Sequence, residues 1–268
     1  MKKSEIPNEI DSDLTCELIE QAYKLGVDTF GIADLELLSE YDTYPKDLLE
    51  NYSRGISIGL KVPDEVIEKL PESRPIYAKH YVMINDRLDF IAYNLSRLLE
   101  SKKYKALPIP ASKPLKDLKW RSFISHRAIA RTAGVGWIGK SLNLITKEYG
   151  PRIRFASILT DAPLEMGKPL ENRCGECQNC IDNCIVGALK NTSFKDYPKE
   201  RELALDMDKC VSKLQEFSKD PDLSVMVCGI CLKVCPWGAL LHNSTTNLKP
   251  FTNPNCSCKE TGPNTMNS

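Results

Sequence analysis

Apolar residues in the first part of the chain alternate between two periods. Leu14, Leu18, Ile19, Ala22 and Leu25 recur at helical spacing behind Ser12 or Asp13, either of which can cap a helix that stops at Gly26. TFGIADL follows as a short strand, and ISIGLKV sets Ile56, Ile58, Leu60 and Val62 at a period of two. The longest helical stretch runs from about Ala78 to Tyr104, with Ile84, Leu88, Ile91, Leu95 and Leu98 on one face. ALPIP reads as a strand closed by prolines. Ile124 to Ala133 reads as a shorter helix stopped by Gly134, and SLNLIT and IRFASILT as strands around the turn at Tyr149-Gly150-Pro151. Helices and strands mixed in this way predict one α/β layered domain over residues 1–165.

The pattern breaks at Cys174. Residues 166–245 become short cysteine-spaced turns, and 246–268 form a polar Asn-, Thr- and Pro-rich tail expected to be disordered. Lysine plus arginine equals aspartate plus glutamate, 36 each, so nothing points to a general nucleic-acid or polyanion surface, and no DNA partner is expected. MKKSEIPNEIDSDL has no apolar segment behind its basic start, and no stretch approaches the ~18 apolar residues of a membrane span. The expected compartment is the cytoplasm. That changes how the 11 cysteines are read, since clustered thiols in a reducing compartment serve as metal ligands rather than as a disulfide framework.

CQNCIDNCIVGAL from Cys177 and CGICLKVCPWGAL from Cys228 share the pattern C-x2-C-x3-C-x2-G-A-L. Duplicated runs of this kind build two-cluster ferredoxins, in which the last cysteine of each run ligates the other cluster. The spacing assigns Cys174, Cys177 and Cys180 to one [4Fe–4S] cube, completed by Cys235. Cys228 and Cys231 hold the second, with Cys184 crossing over and Cys210, the remaining thiol of the segment, as fourth ligand. Paired all-cysteine zinc sites would also use eight thiolates, but they favour separated C-x2-C knuckles, and three cysteines at successive x2 spacings suit them poorly. Ile185 stands after Cys184 where such runs usually have proline, whereas Pro236 does follow Cys235. Cys256 and Cys258 read as free thiols of the tail, and Cys16 as a small hydrophobe.

The order of motifs resembles the epoxyqueuosine reductases, relatives of the corrinoid-dependent reductive dehalogenases. The parts are Arg127 to Lys140 (R-x-x-A-x-x-A-G-x-G-W-x-G-K), Thr160-Asp161-Ala162-Pro163-Leu164, the run from Cys174, DMDKC ending at Cys210, and CGICLKVCPWG. Length and the ISHRAIA segment are most similar to a shorter two-cluster branch of that superfamily. The resemblance implies an α+β architecture: a nitroreductase-like N-terminal α/β domain binding cobalamin, then a bacterial-ferredoxin-like two-cluster domain that delivers electrons to cobalt. It implies a ferredoxin- or flavodoxin-type electron donor, and a small molecule, tRNA or corrinoid protein as substrate. The family's acidic proton donor has no counterpart here; the aligned position is about Trp120 in LKWRSFISHR. The helical extension of the full-length enzymes has no counterpart either.

GVGWIGKS also fits the phosphate-loop expression G-x-x-x-x-G-K-[ST], but it follows a helix and runs into a strand, the reverse of what a phosphate loop requires. Two readings stand for it. In one, Gly134, Gly136, Trp137, Gly139 and Lys140 meet the bound cofactor; in the other they make a tight turn with Trp137 packed in the core. His126, beside Arg127, is the first candidate general acid because it titrates near neutrality, followed by His80, Tyr77 and Tyr81; a structural histidine is the alternative. Asp161 reads as a turn cap. The leading function is an iron–sulfur oxidoreductase passing electrons through two clusters to cobalamin. The alternative is a non-catalytic electron carrier or reductive activator of a partner corrinoid protein.

Overall fold

The computed structural model describes residues 9–112, 115 and 122–239. Trp120, Cys256, Cys258 and the expected tail 246–268 lie outside the described residues. The chain opens with α1 (Ser12–Lys24), capped one residue earlier than expected: Asp11 Oδ1 accepts the Leu14 N–H at 2.8 Å. Then come β1 (Thr29–Asp34), β2 (Arg54–Lys61), α2 (Asp64–Glu68), α3 (Arg74–Ser101), β3 (Ala106–Ile109) and α4 (His126–Thr132). A two-stranded hairpin of β4 (Trp137–Ile138) and β5 (Leu144–Ile145) precedes β6 (Ile153–Thr160). SLNLIT thus contributes only two strand residues, because Leu142 at φ 60° and the turn before it take the rest.

β1, β2, β6 and β3 form one four-stranded sheet in that order, every neighbour antiparallel. The register fixes two different faces. Ile32, Ile56 and Ile158 lie in one row across the strands, with Phe30, Ile58 and Ala156 in the next. This apolar face is buried against Leu14 and Leu18 of α1 and Ile84, Leu88, Ile91 and Leu95 of α3, the stripe that the periodicity marks. On the opposite face the central rows are Gly31, Ser57 and Ser157, then Ala33, Gly55 and Leu159. With so little side chain there, α4 and its exit loop lie close to the backbone. A Cβ on Gly31 would come within 2.6 Å of Val135 Cγ2, and one on Gly55 within 2.8 Å of Leu35 Cδ2 and 3.1 Å of Ile129 Cγ2. The alternation in ISIGLKV therefore separates two buried faces, not a buried from a wet one.

The cysteine segment adds α5 (Asn179–Asp182), α6 (Met207–Ser218), α7 (Ile230–Lys233) and α8 (Pro236–Ala239). Among the described residues it forms no separate core cluster. Leu223 and Val227 join the cluster under α1 and α3, and Ala204 and Leu205 pack with Ile138, Leu142, Leu144 and Phe155. Arg152, fully buried at the start of β6, ties the parts together: it reaches Asp64 Oδ1 at 3.3 Å, Glu68 Oε1 at 2.6 Å and the Lys233 carbonyl at 3.3 Å. A buried guanidinium is sustainable only with such acidic partners.

The glycine strip under α4 can be tested directly. Gly31→Val should lower stability by about 1–3 kcal/mol, the usual cost of overpacking, read as an earlier midpoint in chemical unfolding.

Candidate functional site

All eight cysteines between 174 and 235 are reduced and partly buried. Their mutual influence sorts them into two groups. Burial pushes the Cys235 thiol up to about 11, and Cys174, Cys180 and Cys177, all near it, add to the rise against the opposing hydrogen bond from Trp237 N–H. Cys180 is likewise raised to about 11 by burial and then by Cys174 and Cys177. Cys210 is raised by burial, then by Cys184 and Cys228. Cys231 is pushed up to about 12 by burial, Cys228, Cys180 and Cys210, although Asn143 Nδ2 stands 3.4 Å from its Sγ. The fold thus returns Cys235 to the first run and brings Cys184 and Cys210 to the second, with the two groups adjoining at Cys180 and Cys231. Among the described residues no three Cys, His, Asp or Glu side chains are placed to hold one metal ion. Thiols around a polynuclear cube sit at separate corners, each on its own iron. Thiols raised this far are protonated at neutral pH in the bare chain, so metal binding would release protons.

The glycine-rich stretch is the β4–β5 hairpin and its approach. Its glycines make room for the chain itself. Gly134, at φ +76°, would place a Cβ 2.3 Å from the Lys168 carbonyl, and Gly136 would place one 2.3 Å from that of Ile145. A Cβ at Gly139 would come within 2.8 Å of the Ile145 side chain. Trp137 is fully buried and meets Trp237 edge to face at 4.7 Å between centroids. Lys140 is buried in the turn. No helix opens after Lys140, so the phosphate-loop context is missing. The hairpin instead touches both thiol groups. Asn172 donates to the Ile138 carbonyl at 2.7 Å and accepts the Cys174 N–H at 2.8 Å, while Asn143 reaches Cys231. This is the tight-turn arrangement with Trp137 in the core.

His126 sits at the start of α4 above the serine of β6. Its Nδ1 is 2.9 Å from Ser157 Oγ, and its Nε2 is 3.1 Å from the Pro110 carbonyl. A carbonyl only accepts, so Nε2 carries the proton and Nδ1 takes the serine hydroxyl. Burial pushes the imidazole down to about 4, with Arg154 and Arg127 adding to the fall against the Pro110 bond. A neutral ring with both nitrogens engaged is not a proton source at pH 7, so this geometry does not suit the general-acid role expected of it. His80 bonds the Ile76 carbonyl one turn back on α3, and Asp161 accepts the Lys105 N–H at 2.8 Å.

The polar group that does converge lies between α3, β6 and α4. Arg154 stacks its guanidinium 3.9 Å from the Tyr81 ring centroid, donates to Asn85 Oδ1 at 2.7 Å and contacts Ser112 Oγ. Burial raises the Tyr81 phenol, but Arg154, Ser112, Arg127 and Asn85 together outweigh it and bring its pKa below the ordinary tyrosine value. Tyr77, one turn earlier and buried, is pushed up to about 12 by burial, with Cys231 and Cys228 adding to the rise. The edge of the Tyr77 ring fills the space beside Gly229, between those two cysteines in the chain. Among the described residues neither Arg127 nor Arg154 has a carboxylate partner. Sequence reading includes both tyrosines but misses Arg154, Asn85 and Ser112. Arg154 sits in an apolar strand, and its charge there, in IRFASILT, is the one signal that could have marked it.

Residues 173–238 match the family described as "4Fe-4S double cluster binding domain". Fold and thiol grouping accordingly define an iron–sulfur protein with a double-cluster module attached to a mixed α/β layer. An epoxyqueuosine reductase of Bacillus cereus is 28% identical over 215 residues, 74% of this chain and 51% of that protein. A crystal structure of epoxyqueuosine reductase with a modified tRNA-Tyr stem loop shares the fold at a TM-score of 0.56 and 24% identity, over 85% of this chain and 66% of that one. A reductive dehalogenase structure, described for B12-dependent dehalogenation, shares it at 0.65 and 20% identity, over 89% of this chain and 33% of that one. The chain is thus similar to the epoxyqueuosine reductases, and it spans about half the length of the Bacillus cereus relative.

His126 supplies a pH prediction. Its folded pKa is about 4 against an ordinary value near 6.5. The unfolded chain therefore binds the extra proton between those values, and stability is retained above pH 6.5 and lost as pH falls toward 4. At about 1.4 kcal/mol per unit the loss approaches ~3 kcal/mol. His126→Gln should flatten the fall in thermal stability between pH 6.5 and 4.5 relative to the parent.

Proposed function

We propose that the chain is an iron–sulfur oxidoreductase of the epoxyqueuosine-reductase-like kind. It passes electrons through two [4Fe–4S] cubes to a cofactor, cobalamin, for reduction of a substrate still to be identified. The observation that carries this is the return of Cys235 to Cys174, Cys177 and Cys180, together with the meeting of Cys184 and Cys210 with Cys228 and Cys231. Those are the two ligand sets of the proposal. Residues 1–165 would be a nitroreductase-like, cofactor-binding domain, 166–245 a ferredoxin-like domain and 246–268 a tail. The cytoplasm, with a ferredoxin- or flavodoxin-type electron donor, suits oxygen-sensitive clusters.

The eight thiols fit two cubes by number and grouping. For cobalamin, the support is the polar group of Tyr81, Asn85, Ser112, Arg127 and Arg154 beside the second thiol group. It offers N–H and O–H donors, with no carboxylate paired to Arg127 or Arg154 among the described residues, as the amide- and phosphate-bearing periphery of a corrinoid requires. When bound, cobalamin would supply a strongly reducing cobalt centre. Tyr77, buried beside Gly229 between Cys228 and Cys231 in the chain, would keep water from the path. Tyr81 holds a proton at Oη, and the guanidiniums of Arg154 and Arg127 would stabilise the phenolate left once that proton is given up. Trp137 and the three glycines serve the hairpin that reaches both thiol groups, and Lys140 would meet a cofactor's anionic edge.

Anaerobic purification from cells supplied with iron and cobalamin tests the reading. About eight iron and eight sulfide per chain are expected from two cubes; two zinc ions without sulfide would overturn it. A retained corrinoid reduced by the clusters supports the enzyme, whereas clusters that reduce only the corrinoid of a separate protein indicate the carrier. Candidate substrates are tRNA bearing epoxyqueuosine, small molecules and corrinoid proteins. On whichever is turned over, Tyr81→Phe should cut kcat by about 10²–10⁴, the usual range for losing a general acid, with KM little changed.

A further inference from the structure

The two thiol groups differ in what surrounds them. Main-chain N–H groups serve both: Trp237 N–H acts on Cys235 in the first, and Ala188 N–H lies 3.3 Å from Cys184 Sγ in the second. Only the second has side-chain help among the described residues. Asn143 Nδ2 stands 3.4 Å from Cys231 Sγ. Next to it, Arg127 Nη1 donates to the Leu142 carbonyl at 2.9 Å, so one guanidinium is held at the turn that delivers the amide. Arg127 acts on Cys210 from the same place and, among the described residues, is neutralised by no carboxylate. Arg173 and Lys209, each beside a cysteine in the sequence, are exposed and screened by water.

A [4Fe–4S] cube with four thiolates is an anion and gains a further negative charge on reduction. A fixed cation and an N–H aimed at its sulfurs therefore favour the reduced state, and charge and hydrogen bonding are among the levers that set cluster potentials. We infer that Arg127, with Asn143, places the second cube at a higher reduction potential than the first, giving electron flow a direction. One electron would pass from the first cube, oxidising it, to the second, reducing it, with no bond or proton changed. Cys228 and Cys231 of the second group are the thiols that act on Tyr77, so the electron would come to rest next to the Tyr81 group, and the first cube would be the entry for the external donor. Arg127 is here a positioning residue acting through a cluster. The inference rests on the ligand assignment proposed above.

Redox titration of the anaerobically purified holoprotein, followed by electron paramagnetic resonance, tests it. Cys174→Ser and Cys210→Ser identify which signal belongs to which cube. Arg127→Gln should lower the potential of the second cube and leave the first unchanged, and Arg127→Lys, which keeps the charge, should give a smaller drop. Asn143→Leu should lower the same cube by less than Arg127→Gln does, and it decides the matter alone if Arg127 variants do not fold. Unchanged potentials in variants that keep their full iron content, or a shift confined to the first cube, would overturn the inference. A parent protein lacking two cubes fails the ligand assignment instead, an outcome visible in the iron count before any titration.

Discussion

The arrangement depends on how close α4 comes to the sheet. Gly31, Gly55, Ser57 and Ser157 leave that face almost bare, and a helix can settle on it only because no side chains stand in the way. From this contact follow the places of His126 over Ser157, of Arg127 at the hairpin turn and of the hairpin itself against the cysteine segment. On this face the imidazole satisfies a buried serine and a proline carbonyl that would otherwise be orphaned.

Much of this was legible in the chain, unevenly. IRFASILT is a strand over the residues expected, and the α3 stripe is the buried face. Period and burial are linked so directly in long elements that one implies the other. The cysteine spacing was legible because cluster geometry leaves few ways to wrap a cube. The polar group at Tyr81 was not, because Asn85, Ser112 and Arg154 come from a helix, a loop and a strand, and no local pattern marks that they meet. His126 misled for a related reason. Its neighbour in the sequence, Arg127, reaches the hairpin turn at Leu142, while its own ring turns inward to Ser157. The glycines of GVGWIGKS announced close approach correctly but could not say to what, since carbonyls of Lys168 and Ile145 exclude a Cβ as firmly as any ligand would.

The cysteine segment is held to the layer from several sides. Arg152 bridges α2 and the Lys233 carbonyl, Leu223 and Val227 enter one core, and Ala204 and Leu205 enter another. A segment with so little core of its own takes its shape from its neighbours and from whatever its thiols bind. Mounting of this kind fixes the distance between the thiol groups and Tyr81, which a ferredoxin joined by a flexible linker could not do.

The edge-on pair of Trp137 and Trp237 has a practical corollary. Two of the three tryptophans of the chain stand at the seam between hairpin and cysteine segment. Two of the three indoles therefore report on that one junction, and in the metal-free chain a separation of the two parts would change their ultraviolet emission without any label.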